Sequence, residues 1–184
     1  TWKFSIGGKV EARRTQSLRG GVVTDTAPYH WSGDLANLGE LCDEVFTHRM
    51  GGGRVEPAQE SILAAWLNAI PRIPARTDLD AARVAAGKAI FEGSGGCSAC
   101  HVGGAGALAT NQDIGKTDVL GQAAPTQVPA LLDVVDRAPY MHDDCAATLM
   151  DRLTNPACGG SKHGNTAQLG ADDLQSLETY LESL

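Results

Sequence analysis

Cys97-Ser98-Ala99-Cys100-His101 is the stretch on which the reading of this chain turns. Its two thiols stand one helical turn apart and share a face, and the histidine, four positions after Cys97, shares it too. Thiols so placed reach the two vinyl groups of a porphyrin while the imidazole approaches the iron, which is the attachment pattern of a c-type haem. A zinc site needs a second pair of ligands at matching spacing, and a redox dithiol needs a preceding buried strand. The residues upstream carry helical spacing instead. The expected cofactor is therefore one haem c, bound covalently through Cys97 and Cys100, with His101 as the proximal ligand of the iron.

Upstream of the motif, Thr77 or Asp78 caps an expected helix with a Leu79, Ala82, Ala86 and Ile90 stripe, and Gly93 stops it. Gly95 and Gly96 let the chain lie close to a porphyrin edge. Downstream, the Gly-rich stretch to about Gln127 shows no period and is expected to wrap the haem as irregular loop. Thr148 caps a short helix bearing Leu149 and Leu153. Leu174, Leu177, Leu181 and Leu184 then mark a C-terminal helix, with Tyr180 beside them.

Residues 1–26 are polar, basic and broken by glycine, and read as a solvated arm in preference to a docking surface. Asp34 is an expected N-cap for a helix carrying Leu35, Leu38, Leu41, Cys42 and Val45, which ends near Met50-Gly51-Gly52-Gly53. A second helix runs from about Pro57 to Ile70 with Ile62, Leu63, Trp66 and Ile70 facing inward. Pro71-Arg72-Ile73-Pro74 reads as a linker. The expected division is 1–76, without an attachment motif, and 77–184, a c-type cytochrome domain.

The halves repeat. Gln16, Val23, Asp25, Ala27, Pro28 and Tyr29 match Gln127, Val134, Asp136, Ala138, Pro139 and Tyr140 at a constant offset, and Ala36 and Leu38 match Ala147 and Leu149. Such self-similarity marks a duplicated supersecondary unit. The expected fold is all-α and cytochrome c-like: two related helical units, the second with one covalently bound haem.

Composition narrows the partners. The chain has 184 residues, a formal net charge of −7 and 5% aromatics. That charge disfavours nucleic acid and anionic membrane as partners, and no apolar run approaches the ~20 residues that span a bilayer. Thr1-Trp2-Lys3-Phe4 lacks the apolar core of a signal peptide, so the expectation is a processed or trimmed chain. Of the remaining cysteines, Cys145 and Cys158 either form a disulfide across a loop of ~14 residues, stabilising by about 3 kcal/mol, or stay as buried thiols. Cys42 is expected free and buried. Covalent haem with a disulfide indicates a periplasmic or extracellular protein.

Three motifs carry a family resemblance: Val128-Pro129-Ala130-Leu131, Arg137-Ala138-Pro139-Tyr140-Met141-His142-Asp143, and Thr148-Leu149. In this order after the attachment motif, they resemble the bacterial di-haem cytochrome c peroxidase and MauG superfamily. The likeness covers most of 78–184. It extends more loosely over 15–70, where Gln16-Ser17-Leu18-Arg19-Gly20 and Ala27-Pro28-Tyr29-His30-Trp31-Ser32-Gly33-Asp34 look like the end of a first haem domain. The resemblance implies two helical cytochrome c-like domains, each with a haem, that reduce peroxide or oxidise a partner. Two departures stand out. No attachment motif precedes Gln16, so a first haem-bearing segment is missing, is carried by another cytochrome subunit, or was lost in a mono-haem descendant. Pro156 occupies the position where the family places a Met or Tyr ligand.

Function then turns on the iron's other side. The candidates are His163, in Gly159-Gly160-Ser161-Lys162-His163-Gly164, then Met141, His142 and Met150, or an open position. By the resemblance, His142 braces the fold. Met50 is the candidate ligand for a first haem and otherwise a core residue. The expected activity is one-electron transfer to a redox partner protein, with no catalytic residue assigned; the alternative is part of a di-haem peroxidase or MauG-like oxidase. An enzyme would also need an acid–base group near an open iron, for which His30 and His142 are the histidines on suitable loops.

Overall fold

The computed structural model describes residues 2–21, 23–102, 109–159 and 162–184. Part of the Gly-rich stretch and Gly160-Ser161 lie outside the described residues. Among the described residues five α-helices carry the fold: α1 (Leu38–Leu41), α2 (Pro57–Asn68), α3 (Ala81–Glu92), α4 (Leu149–Thr154) and α5 (Ala171–Glu182). Two small antiparallel sheets join them, β1 (Trp2–Ile6) with β2 (Lys9–Arg13), and β3 (Asn111–Gln112) with β4 (Thr126–Gln127). The hairpin replaces the expected solvated arm. Gly7 and Gly8, both at positive φ, make the turn between its strands.

The duplication is visible in the backbone. Cis peptides precede Pro28 and Pro139, and left-handed φ recurs at His30 and Met141 and again at Gly33 and Asp144. Tyr29 bridges Leu35 as Tyr140 bridges Ala146. After each bridge comes the same cap. Asn37 Oδ1 accepts the Glu40 amide and Glu40 accepts the Ala36 amide. Thr148 Oγ1 accepts the Asp151 amide and Asp151 accepts the Ala147 amide. Asp34 is therefore not the N-cap: the bridge keeps its segment extended, and its carboxylate takes Ser32 Oγ and His30 Nδ1 instead. From Cys42 to Arg49 the helix widens into π turns before Met50 ends it.

Each half buries its own apolar cluster. The first comprises Tyr29, Leu35, Leu38, Cys42 and Leu67. The second is larger, with Phe91, Leu149, Leu177, Tyr180 and Leu181 at its centre and the Cys145–Cys158 disulfide within it. Cys42 is free and buried.

Helix α3 lies across α5 through Gly87, where a Cβ would sit 1.9 Å from the Ser176 carbonyl oxygen. Its buried residues are Gly87 and Phe91, so the expected Ala82 and Ala86 face is the exposed one. A glycine that admits a neighbouring backbone outweighed the alanine periodicity.

Helices α2 and α5 are counterparts, twelve residues each, with Ile62 matching Ser176 and Trp66 matching Tyr180. Ser176 and Tyr180 are buried under α3, whereas Ile62 and Trp66 are 71% and 60% exposed. The expected inward face of α2 thus holds only for Leu63 and Ile70, joined by Leu67. Among the described residues no helix covers the other stripe. Met50 is likewise 64% exposed and not core. No helix of the described residues is long and apolar enough to cross a membrane.

Candidate functional site

Helix α3 ends at Gly93, and Gly96, at φ +68°, reverses the chain into the short 3-10 turn Cys97–Ala99. Within that turn the Cys100 and His101 amides both donate to the Cys97 carbonyl. Two free thiols and an imidazole are thereby gathered on one wall of a cavity of about 300 Å³. Phe91 packs beside His101, with ring centres 6.4 Å apart.

The cavity is built by both halves. Trp31, Gln127 and Val128 line it together with Cys97, Cys100 and His101. His101 Nδ1 donates to the Pro129 carbonyl over 3.2 Å, so a backbone oxygen fixes the tautomer and leaves Nε2 free. Burial pushes the pKa of His101 down to about 4. It also raises the Cys97 thiol.

His163 lies opposite. Its ring centre is 6.3 Å from that of His101, and the two planes differ by 25°. Burial, with Arg152 next in order, holds its pKa well below the ordinary histidine range. Its Nδ1 is buried without a hydrogen-bond partner. Both imidazoles are therefore neutral at pH 7, the form that binds a metal. Two imidazoles on opposite sides of one metal ion, each through a bond of about 2.0–2.1 Å, would have ring centres about 6.3–6.5 Å apart. The observed spacing fits.

The His163 loop is held on several sides. The disulfide anchors its start, and Gly159, at φ +122°, lies where a Cβ would meet His163 Cβ at 3.0 Å. Lys162 Nζ donates to Asp113 Oδ2 over 2.9 Å. Beyond the histidine, the Asn165 amide donates to the Gly95 carbonyl, tying the loop to the segment before Cys97.

Of the other candidate ligands, Met141 and His142 also line the cavity. Met141 packs on the second cluster. His142 is buried against Trp31, with ring centres 6.1 Å apart. Met150 and His30 are not among the cavity-lining residues.

Sequence reasoning missed Arg152. It sits on α4 between Leu149 and Leu153, lines the cavity, and is desolvated enough to lower its pKa to about 10. Its place three positions after Leu149 and beside Leu153, both apolar, was the available signal. Gln127 was read as a repeat position, not as a buried hub. Its amide donates to the Thr26 and Val128 carbonyls.

No family model matches the chain. Hydrazine synthase subunit gamma of Kuenenia stuttgartiensis is 39% identical over 56 residues, 30% of this chain and 16% of that protein. The chain thus corresponds to a small part of that curated relative. Among solved structures, Kuenenia stuttgartiensis hydrazine synthase pressurized with xenon superposes with a TM-score of 0.71 at 22% identity, over 94% of this chain and 72% of that one. A MauG-like protein associated with microbial copper homeostasis superposes with a TM-score of 0.61 at 18% identity, over 98% of this chain and 76% of the other. These likenesses are of fold.

Proposed function

We propose that this chain is a c-type cytochrome that passes single electrons to and from a redox partner protein. The observation that carries the reading is the pair of neutral imidazoles, buried His101 and half-buried His163, with ring centres 6.3 Å apart in a cavity that also holds Cys97 and Cys100. The residues fit a covalent haem c. Cys97 and Cys100 would hold the porphyrin as thioethers, and His101 and His163 would bind the iron. When bound, the group supplies a one-electron couple set by its axial ligands and burial.

The chain's own contribution is positional. The Pro129 carbonyl orients His101, as partners beyond the ligands orient metal-binding histidines generally. Gly159, the disulfide and the Asn165–Gly95 hydrogen bond fix His163. With both imidazoles bound, peroxide would find no free position at the iron, which supports electron transfer over peroxide chemistry. Thioether attachment and the disulfide support a periplasmic or extracellular setting. The division at 76/77, with haem only in the second unit, follows the two apolar clusters and the single attachment motif.

A second reading has its own observation. The stripe Ile62 and Trp66 is bare where its counterpart on α5 is covered by α3. That suits a first haem-bearing helical segment, carried outside these residues or by another subunit, and an oxidoreductase of the di-haem type.

The test is the haem content of the purified protein. One haem per chain that survives denaturing electrophoresis, and is lost in Cys97→Ser/Cys100→Ser, supports the mono-haem cytochrome. Two haems per purified particle containing a single copy of this chain would support the di-haem reading. An absence of covalent haem would sink both.

A further inference from the structure

We infer that Arg152 is the centre of an anion site in the cavity, and that the ligand it takes is a carboxylate. The inference rests on the haem reading for one of its two ligand sources and is independent of it for the other.

The cavity is cationic in an acidic protein. Arg14, Arg19, Arg137, Arg152 and Lys162 line it against the single carboxylate Asp113, while the whole chain carries a net −7. Most of these cations already have anions. Lys162 pairs with Asp113 at 2.9 Å and Arg14 with Asp144 at 3.7 Å. Arg137 donates to the Ala130 carbonyl over 2.6 Å and faces Asp133. Arg19 has solvent.

Arg152 is half-buried and reaches solvent only in part. Its one contact is a long 3.5 Å approach of Nη2 to the His163 carbonyl. Among the described residues no carboxylate pairs with it, and the group whose charge it feels is the Cys97 thiol. A cation desolvated far enough to lower its pKa to about 10 gains from a counter-charge. The planar guanidinium fork matches a carboxylate, which accepts two parallel hydrogen bonds from it.

Two sources supply that chemistry: a propionate of the haem, or a small free carboxylate entering the cavity. Formate is the probe for the second. The midpoint potential and Soret band of the purified protein are followed from pH 5 to 8, with and without formate at constant ionic strength. Arg152→Gln and Arg152→Lys are compared with the wild type. Arg54→Gln, at a side chain 77% exposed on a different surface, is the control.

If the ligand is a propionate, the wild-type potential is flat over this range and indifferent to formate. In Arg152→Gln it falls with rising pH, because an unpaired propionate now ionises there and favours the oxidised iron. If the ligand is free, formate shifts the wild-type signal saturably, and Arg152→Gln weakens that binding at least tenfold. Arg152→Lys keeps the charge without the fork and gives an intermediate response in either case; it also serves if Arg152→Gln does not fold. Variants that match wild type in both the pH profile and the formate response would overturn the inference. A purified chain without haem absorption would instead remove the haem reading. The free-carboxylate source is then read as a formate-dependent rise in Tm that Arg152→Gln must lose, and its absence from the wild type would overturn the inference as well.

Discussion

Gln16 Nε2 donates to Gln127 Oε1 over 3.1 Å, and the two residues are 111 positions apart, the offset that relates the two halves of the chain. Equivalent residues of the repeat thus touch each other directly. Trp31 and His142, also equivalent, meet in the same way. The halves are therefore paired face to face, and the cavity lies along that junction.

Gln127 should be the costlier member of the pair to remove. It is 2% exposed, and beyond accepting from Gln16 it donates to two backbone carbonyls. Gln127→Ala is expected to destabilise by about 2–3 kcal/mol and Gln16→Ala by about 1 kcal/mol. A double-mutant cycle in urea should return a coupling of at least about 0.5 kcal/mol, since the two side chains share one hydrogen bond.

The counterpart helices give a contrast at matched positions. Tyr180 packs edge-on to Phe91 at 5.3 Å, whereas Trp66, in the same place on α2, is exposed. Tyr180→Ala should cost about 3–5 kcal/mol, and Trp66→Ser should stay within about 0.5 kcal/mol. Thermal melts of the two variants side by side make the comparison.

Gly87 admits the Ser176 backbone, so any side chain there forces α3 and α5 apart. Gly87→Ala, normally favourable in a helix, should here destabilise by at least about 3 kcal/mol. A variant at or above wild-type Tm would contradict the described crossing.

His142 provides a pH dependence. Burial lowers its pKa below 6.5, so the unfolded chain takes up its proton first as the pH falls. Its contribution is intact above about pH 6.5 and declines as the pH drops toward the folded value. His142→Gln should reduce the loss of Tm between pH 7.5 and 5.

Much of this was legible in the residues themselves. The clustering of Cys97, Cys100 and His101, the repeat, the Thr148 cap and the Leu177–Tyr180–Leu181 face of α5 are local patterns, and local patterns survive folding. Long-range contacts were not legible. Ile62 and Trp66 carry the spacing of a buried stripe, but spacing does not say whether a neighbour exists to bury it. Ala82 and Ala86 drew the inner face of α3 to the wrong side because Gly87 has no hydrophobic signal, only room. The opposition of His101 and His163 depends on a loop held by Gly159, Asp113 and Gly95, which converge only in three dimensions. Arg152 was passed over because its meaning lies in the carboxylate it lacks.

The central claim is that His163 stands across the iron from His101. Its most direct test is the absorption and electron paramagnetic resonance spectrum of the oxidised protein beside that of His163→Ala. The expected result is a six-coordinate, low-spin signal in the wild type that becomes high-spin in the variant and returns on adding imidazole. A variant spectrum identical to the wild type would contradict the assignment of His163.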